Sequence, residues 1–180
     1  MSKAIVFFAD GFEECEGLLV VDLLRRAGVE VTTASINGST KIVSSHGITL
    51  FSDVIAEDAD YESADIVILP GGLKGTENLA ASAFVKQKCL EFAGKKKVAA
   101  ICAAPSILAS LGLLERKKAT VHPNFEDKMS GAELTRAQVT VDGNITTGQA
   151  LGAAIPFALE LIRQLAGEDK VAKVRKGICF

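Results

Sequence analysis

Three short apolar runs constrain the fold of this chain more than any other feature. KAIVFFA (3–9), ADIVILPGG (64–72) and KVAAIC (97–102) carry few polar residues, and each is too short for a buried helix. A strand that is covered on both faces has this composition, because neither side of its sheet contacts water. The runs therefore predict buried strands of a mostly parallel sheet.

Segments with helical periodicity alternate with these strands. Helices are predicted at 11–28, 82–94, from Pro105 onward, 152–167 and 168–177. Further strands are predicted at 29–36 and 118–123, and hairpins at 41–51 and 138–148. The alternation is typical of an α/β protein with helices on both faces of the sheet. No repeat or linker interrupts it, so we expect a single domain over residues 1–180.

The composition excludes several classes of function. A net charge of −2, from 20 basic and 22 acidic residues, gives no global field for nucleic acid or an anionic membrane. No segment approaches the roughly 18 apolar residues of a membrane span, and the apolar N-terminal stretch is too brief for a signal peptide. We therefore expect a cytoplasmic protein with no nucleic-acid-binding patch and no membrane association.

Four cysteines stand at positions 15, 89, 102 and 179, with no C-x-x-C and no zinc-ligand spacing. We expect free thiols in a reducing compartment and no metal site. The phosphate-binding patterns G-x-x-x-x-G-K-[ST] and G-x-G-x-x-G are both absent, so nucleotide binding loses its main support.

The candidate site follows from the architecture. Open α/β sheets bind ligands beyond the carboxyl ends of their strands. The segments that follow the predicted strands are 10–16, 70–72, 102–104 and 122–123. We expect these four segments to meet along one rim of the sheet.

Cys102 is the candidate nucleophile. It lies where a strand turns into a helix between small alanines, which is the layout of a nucleophile elbow, and Pro105 suits the first helical turn. The helix N-terminus favours the thiolate, which predicts a low thiol pKa. The alternative is a buried structural cysteine.

Glu16 is the candidate partner of that sulfur. It shares the inward helix face with Val20 and Leu23, where a carboxyl group must be neutral or paired. A protonated Glu16 could donate a hydrogen bond to Cys102. The alternative is an acid favoured by the first helical turn, which is the preferred interpretation of Glu13 and Glu14.

Three further residues complete the predicted site. The amides of Gly72 and Ala103 could form an oxyanion hole, although an ordinary Pro-Gly-Gly turn is the alternative. His122 could act as a base or proton shuttle, or be a plain loop histidine. His46 lies in the predicted hairpin, facing solvent or a partner subunit.

Four motifs in this order resemble the ThiJ/PfpI superfamily: ADGFEECE (9–16), VILPGG (67–72), VAAICAAP (98–105) and VHP (121–123). The similarity covers nearly the whole chain and is greatest to the branch of the parkinsonism-associated protein deglycase and its bacterial ThiJ-like relatives. The resemblance implies a flavodoxin-like three-layer sandwich of the class I glutamine amidotransferase-like type. It also implies a homodimer with a nucleophile elbow at Cys102.

The resemblance also implies roles for single residues. Cys102 matches the oxidation-prone nucleophile, Glu16 the buried acid bonded to it and His122 the nearby histidine, while Gly72 and Ala103 match the backbone donors. The family's activity is a cofactor-free glyoxalase, of glyoxalase III type, that turns methylglyoxal into lactate. Deglycation of early methylglyoxal adducts on proteins or nucleotides, with a role in stress protection, is also implied.

Two other functions are open. A redox sensor or chaperone would work through oxidation of Cys102 to the sulfinate. A cysteine peptidase or amidase fits less well, because no Cys-His-acid triad is evident near the elbow.

This chain departs from the family pattern at two places. His46 stands where the deglycase branch has an arginine, and Gln149-Ala150-Leu151-Gly152 stands in place of Arg-Gly-Pro-Gly. Each change removes positive charge or a turn glycine from the expected rim, and so bears on anion recognition and substrate range.

Overall fold

The structure, a computed structural model, describes residues 1–180 and contains eleven strands. They are β1 (Lys3–Phe8), β2 (Glu30–Ser35), β3 (Lys41–Val43), β4 (Thr49–Phe51), β5 (Val54–Ile55), β6 (Ile66–Leu69), β7 (Lys97–Ile101), β8 (Lys118–Ala119), β9 (Glu133–Leu134), β10 (Val139–Asp142) and β11 (Ile145–Gly148). Six helices accompany them: α1 (Glu14–Arg26), α2 (Leu73–Ala81), α3 (Ala83–Lys95), α4 (Pro105–Ser110), α5 (Ala154–Ala166) and α6 (Glu168–Gly177).

Seven strands form the central sheet in the order β10-β11-β7-β6-β1-β2-β5. All neighbours are parallel except β10 and β11, which form the predicted hairpin at one edge. The chain runs outward from β1 through β2 and then returns to place β6 on the other side of β1. The strand order therefore reverses between β1 and β6, which is where ligands bind in open α/β sheets.

Both faces of the sheet are buried, which explains the unbroken apolar runs. In β1, Val6 and Phe8 belong to the core cluster covered by α1 and α5, whereas Ile5 and Phe7 belong to the opposite cluster with α3 and α4. Side chains alternate between the two faces of a strand, so a strand that is covered on both faces favours apolar residues at every position. The predicted α/β sandwich of flavodoxin type is confirmed.

The strand predicted at 118–123 is mostly wrong. Only Lys118–Ala119 is a strand, and it pairs with β9 outside the central sheet. The N–H of Thr120 donates to the Thr147 hydroxyl at 2.9 Å and that of His122 to the Cys102 carbonyl at 2.9 Å. These bonds replace a strand ladder, and a 3₁₀ turn over Pro123–Lys128 follows.

Helix α2 was not predicted, because Gly75 and Thr76 weaken its periodicity. Gly75 is required by a close approach: its N–H donates to the Gly11 carbonyl at 3.0 Å, and a Cβ there would lie 2.5 Å from the Cα of Phe12. This packing fixes the start of α2 against the loop that follows β1. The loop after β1 and the start of α2, which follows β6, are therefore held together at the switch point.

No helix of the molecule has the length and apolar character that crossing a membrane requires.

We expect Gly75→Ala to lower the free energy of unfolding by about 2 kcal/mol, because the added methyl group overlaps the main chain of Phe12. The matched control is Gly94→Ala in α3, where a Cβ meets nothing within 4 Å. That change should raise stability by up to about 1 kcal/mol through helix propensity. Urea denaturation measures both, and equal effects at the two sites would contradict the packing described here.

Candidate functional site

Cys102 lies on a strained turn directly after β7. Its φ is 64°, a left-handed conformation that costs a residue with a Cβ about 1–2 kcal/mol. Its N–H donates to the Gly148 carbonyl at 3.0 Å, and the buried Ala103 and Ala104 leave room for the turn into α4. The predicted elbow is confirmed, and the sulfur-bearing residue is partly exposed.

Glu16 points inward from the first turn of α1, as predicted, and is only 1% exposed. Its Oε2 accepts the Gly71 N–H at 3.0 Å, whereas its buried Oε1 has no nitrogen or oxygen partner. The Glu13 carboxylate caps the helix by accepting the Glu16 N–H at 2.6 Å. This cap confirms the helix-start interpretation of Glu13.

The Glu16 carboxyl group and the Cys102 thiol converge at Gly71. A Cβ on Gly71 would overlap Glu16 Oε2, and it would lie 2.5 Å from the Cβ and 3.1 Å from the Sγ of Cys102. Only glycine leaves space for both groups. Next to it, Gly72 adopts a φ of +89°, which a side chain would also disfavour.

Burial controls the acidity of this pair. It raises the pKa of Glu16 to about 7, opposed by hydrogen bonds with the Cys102 thiol and the Gly71 N–H. Burial also raises the pKa of Cys102 to about 12, and the Glu16 charge adds to that increase. The N–H groups of Gly72 and Ala103 act on the sulfur in the opposite direction. The pKa of about 12 belongs to a thiol that faces an ionised Glu16, so the low thiol pKa stays a prediction for the state in which Glu16 is protonated.

The two groups lose their protons as a coupled pair. Between about pH 7 and about pH 12 the pair holds one proton, which belongs to neither residue alone. A thiolate in this range requires that proton to lie on Glu16. The arrangement can thus exchange a proton between a carboxyl group and a sulfur nucleophile.

His122 adjoins Cys102 through the main chain, since its N–H donates to the Cys102 carbonyl. Its Nδ1 accepts the Asn124 N–H at 3.2 Å, so a neutral ring carries its proton on Nε2. In this state Nε2 is a donor, and the role of His122 as base or proton shuttle stays a prediction. A Cys-His-acid triad would need a carboxylate at Nδ1, where the Asn124 amide lies.

A polar cluster that was not predicted from the sequence lies at the other end of the first turn of α1. Glu14 lies 2.7 Å from His46 Nδ1 and accepts the Ser45 hydroxyl at 3.0 Å. Although burial opposes it, hydrogen bonds from its own N–H, Ser44, Ser45 and His46 lower the pKa of Glu14 to about 2. Sequence separation hid this contact, because the β3–β4 hairpin brings His46 back to α1.

Glu13, Glu14 and His46 are the side chains that could hold a cation. Their ligand atoms lie within 4.8 Å of one another. In this structure Glu14 is already bonded to His46, and Glu13 to the Glu16 N–H.

Gln149 is held by the neighbouring main chain. Its side-chain amide donates to the Arg136 carbonyl at 3.2 Å, and its N–H donates to the Gln138 carbonyl at 2.9 Å. Its side chain therefore supports the rim and supplies no positive charge there.

Comparisons with known proteins agree with this geometry. A model of the DJ-1/PfpI family matches residues 2–164. The chain is 36% identical over 178 residues to the Parkinson disease protein 7 homolog of Danio rerio, covering 96% of this chain and 94% of that one. It is 34% identical over 169 residues to Deglycase TK1284 of Thermococcus kodakarensis, covering 91% and 99% respectively. The crystal structure of Drosophila melanogaster DJ-1beta superimposes with a TM-score of 0.95 at 35% identity, covering 99% and 98%.

We expect Glu16→Gln to remove the reactivity of Cys102 at neutral pH. In the native protein the reactive form is the pair that has lost one proton. The rate of alkylation by iodoacetamide should therefore rise with pH, with a midpoint at about pH 7, and then level off. Glutamine cannot take up the thiol proton, so the rate in the variant should keep rising with hydroxide concentration. Mass spectrometry of the Cys102 peptide separates this thiol from the other three.

Glu14→Gln serves as the control for that experiment, because it removes a charge from the same helical turn without touching the sulfur. Its alkylation profile should match that of the native protein. A native-like profile in Glu16→Gln would contradict the coupling.

Proposed function

Because the chain belongs to the DJ-1/PfpI family, we propose that it is a cysteine-dependent, cofactor-free glyoxalase or deglycase. Its substrates are methylglyoxal-type 2-oxoaldehydes or their early adducts on proteins and nucleotides. The convergence of Glu16 and Cys102 at Gly71 carries this proposal. The similarity to Deglycase TK1284 supports the same class of reaction.

The proton of the pair lies on Glu16 in the reactive state. An ionised Glu16 would leave a charged, buried Oε1 without a partner, which is costly. A protonated carboxyl group instead donates to the sulfur. The thiolate then also accepts hydrogen bonds from the N–H groups of Gly72 and Ala103. Three donors therefore stabilise its negative charge.

The first chemical step joins Cys102 to the substrate. The thiolate attacks the aldehyde carbon, a C–S bond forms, and the carbonyl π pair moves onto oxygen. That oxygen takes the proton from Glu16 and the product is a hemithioacetal. The amides of Gly72 and Ala103, already directed at the sulfur, stabilise the oxyanion while it forms.

The second step moves a proton between adjacent carbons. The Glu16 carboxylate removes the C1 proton to give an enediolate and returns it at C2, while the proton of the C1 hydroxyl moves to the C2 oxygen, which gives the lactoyl thioester. C1 is oxidised and C2 reduced by two electrons, so no external oxidant takes part. His122, with a proton on Nε2, serves as a donor to the substrate oxygens. Water then hydrolyses the thioester to lactate and restores the thiol.

We also propose that the protein is a cytoplasmic homodimer. Leu18 on α1 and Ile48 and Phe51 of the β3–β4 hairpin are exposed apolar side chains, and Phe51 is 71% exposed. A second copy of the chain would cover them.

Cys102→Ser should abolish lactate formation from methylglyoxal, because serine is not ionised in this range. Glu16→Gln should slow the reaction at least about a hundredfold, the usual contribution of general acid–base catalysis. Cys15→Ser is the matched control, since Cys15 is an exposed thiol on the same helix, and it should leave the rate unchanged. Equal rates in the native protein and Cys102→Ser would end this proposal.

The same sulfur environment favours a second function, a redox sensor or chaperone. A partly exposed thiolate reacts with two peroxide molecules to give a sulfinate, releasing one water molecule for each oxygen gained. The carboxyl group of Glu16 and the two amides can hydrogen-bond the new oxygens.

Peroxide titration followed by intact-protein mass separates the two functions. Sensing predicts a gain of two oxygens on Cys102 that is lost in Cys102→Ser, with no turnover of any aldehyde. Oxidation that starts at the exposed Cys15 or Cys179 would argue against a sensor.

A further inference from the structure

A cavity of about 330 Å³ lies between α2, α4 and the 3₁₀ turn that follows His122. This volume is at the lower end of the range of about 300–1,000 Å³ for small-molecule sites. We call it the α2–α4 pocket, and the lining residues that matter here are Leu73, Thr76, Ala80, Ser106, Ile107 and Phe125.

The wall of the α2–α4 pocket is hydrogen-bonded to the candidate catalytic residues. The Thr76 N–H donates to the Gly72 carbonyl at 2.9 Å. On the other two sides, the Ser106 N–H donates to the Ala103 carbonyl at 3.1 Å and the Phe125 N–H to the His122 carbonyl at 2.8 Å. The three pocket elements thus begin one or two residues after Gly72, Ala103 and His122, which places the pocket next to the Cys102 rim.

One polar atom of the pocket wall lacks a partner. Thr76 is 4% exposed, and its Oγ1 is buried without a hydrogen bond. A buried unsatisfied hydroxyl costs about 1–3 kcal/mol, so natural structures seldom keep one without a reason. This oxygen has less than 1 Å² of accessible surface, so a bound group with one hydrogen-bonding atom would satisfy it once the Thr76 side chain rotates towards the pocket.

The chemistry of the remaining wall selects a neutral, apolar occupant. Leu73, Ile107 and Phe125 supply hydrophobic surface, and Glu77 and Lys128 at the lining contribute one charge of each sign. An anion or cation therefore gains no net attraction, whereas an aromatic or branched aliphatic group buries apolar surface.

From these observations we infer that the α2–α4 pocket binds the apolar substituent of a 2-oxoaldehyde, or of its adduct, while Cys102 holds the aldehyde carbon. The inference rests on the proposed function and deepens it. The preferred substrates then carry a substituent larger than the methyl group of methylglyoxal. Phenylglyoxal, which takes up one water molecule to give mandelate, is a suitable representative.

The kinetic test compares kcat/KM for phenylglyoxal and methylglyoxal. Ala80→Leu fills the pocket and should lower the phenylglyoxal-to-methylglyoxal ratio about tenfold or more. Ala81→Leu is the matched control: it makes the same change one residue along the same helix, at an exposed position outside the pocket, and should preserve the ratio. An unchanged ratio in Ala80→Leu would overturn the inference.

A binding test does not depend on turnover. Benzyl alcohol, with an aromatic ring and one hydroxyl group, is titrated into the Cys102→Ser protein and followed by amide chemical shifts. Saturable shifts at Thr76, Ala80 and Ile107 that disappear in Ala80→Leu support the pocket. Thr76→Val, which keeps the side-chain shape, should weaken binding about threefold to tenfold.

The two tests separate the inference from the proposed function. If the protein turns over methylglyoxal but benzyl alcohol changes no amide chemical shifts in the pocket, the proposed function holds and the subsite is excluded. Benzyl alcohol binding in the pocket of a protein that turns over neither aldehyde removes the proposed function, and with it the substrate assignment, while the pocket remains a binding site.

Discussion

The contact between a buried carboxyl group and a sulfur at Gly71 is the interaction on which the site depends. It brings together α1, the turn after β6 and the turn after β7, which are far apart in sequence. Two of these elements carry a local cost to make the contact: Cys102 adopts a positive φ, and Glu16 is removed from water. Gly72 adopts its positive φ without that strain because it has no Cβ. Such costs persist where the surrounding structure fixes them, and they cluster at functional sites.

Much of this arrangement could be predicted from the sequence. Apolar runs identified β1, β6 and β7, because a strand that is covered on both faces favours apolar residues at every position. The elbow at Cys102 followed from a strand end flanked by small residues and a proline. The inward direction of Glu16 followed from its helical spacing to Val20. In each case a local pattern determines the outcome, so one chain suffices for the prediction.

The parts that failed depend on contacts between distant segments. Residues 118–123 have the composition of a strand, but the hydrogen bond from the His122 N–H to the Cys102 carbonyl takes the place of strand pairing. The pairing of Glu14 with His46 arises only when the hairpin folds back on α1. The acidity of Cys102 also depends on distant segments: a helix N-terminus lowers its thiol pKa, whereas burial and an ionised Glu16 raise that pKa.

The position of the shared proton is the central claim, and infrared spectroscopy observes it directly. At a pH between about 7 and about 12, difference spectra of the native protein against Glu16→Gln and Cys102→Ser isolate one carboxyl C=O stretch and one S–H stretch. The account predicts a protonated carboxylic acid band and no S–H band from Cys102. A carboxylate band together with an intact S–H stretch would contradict it.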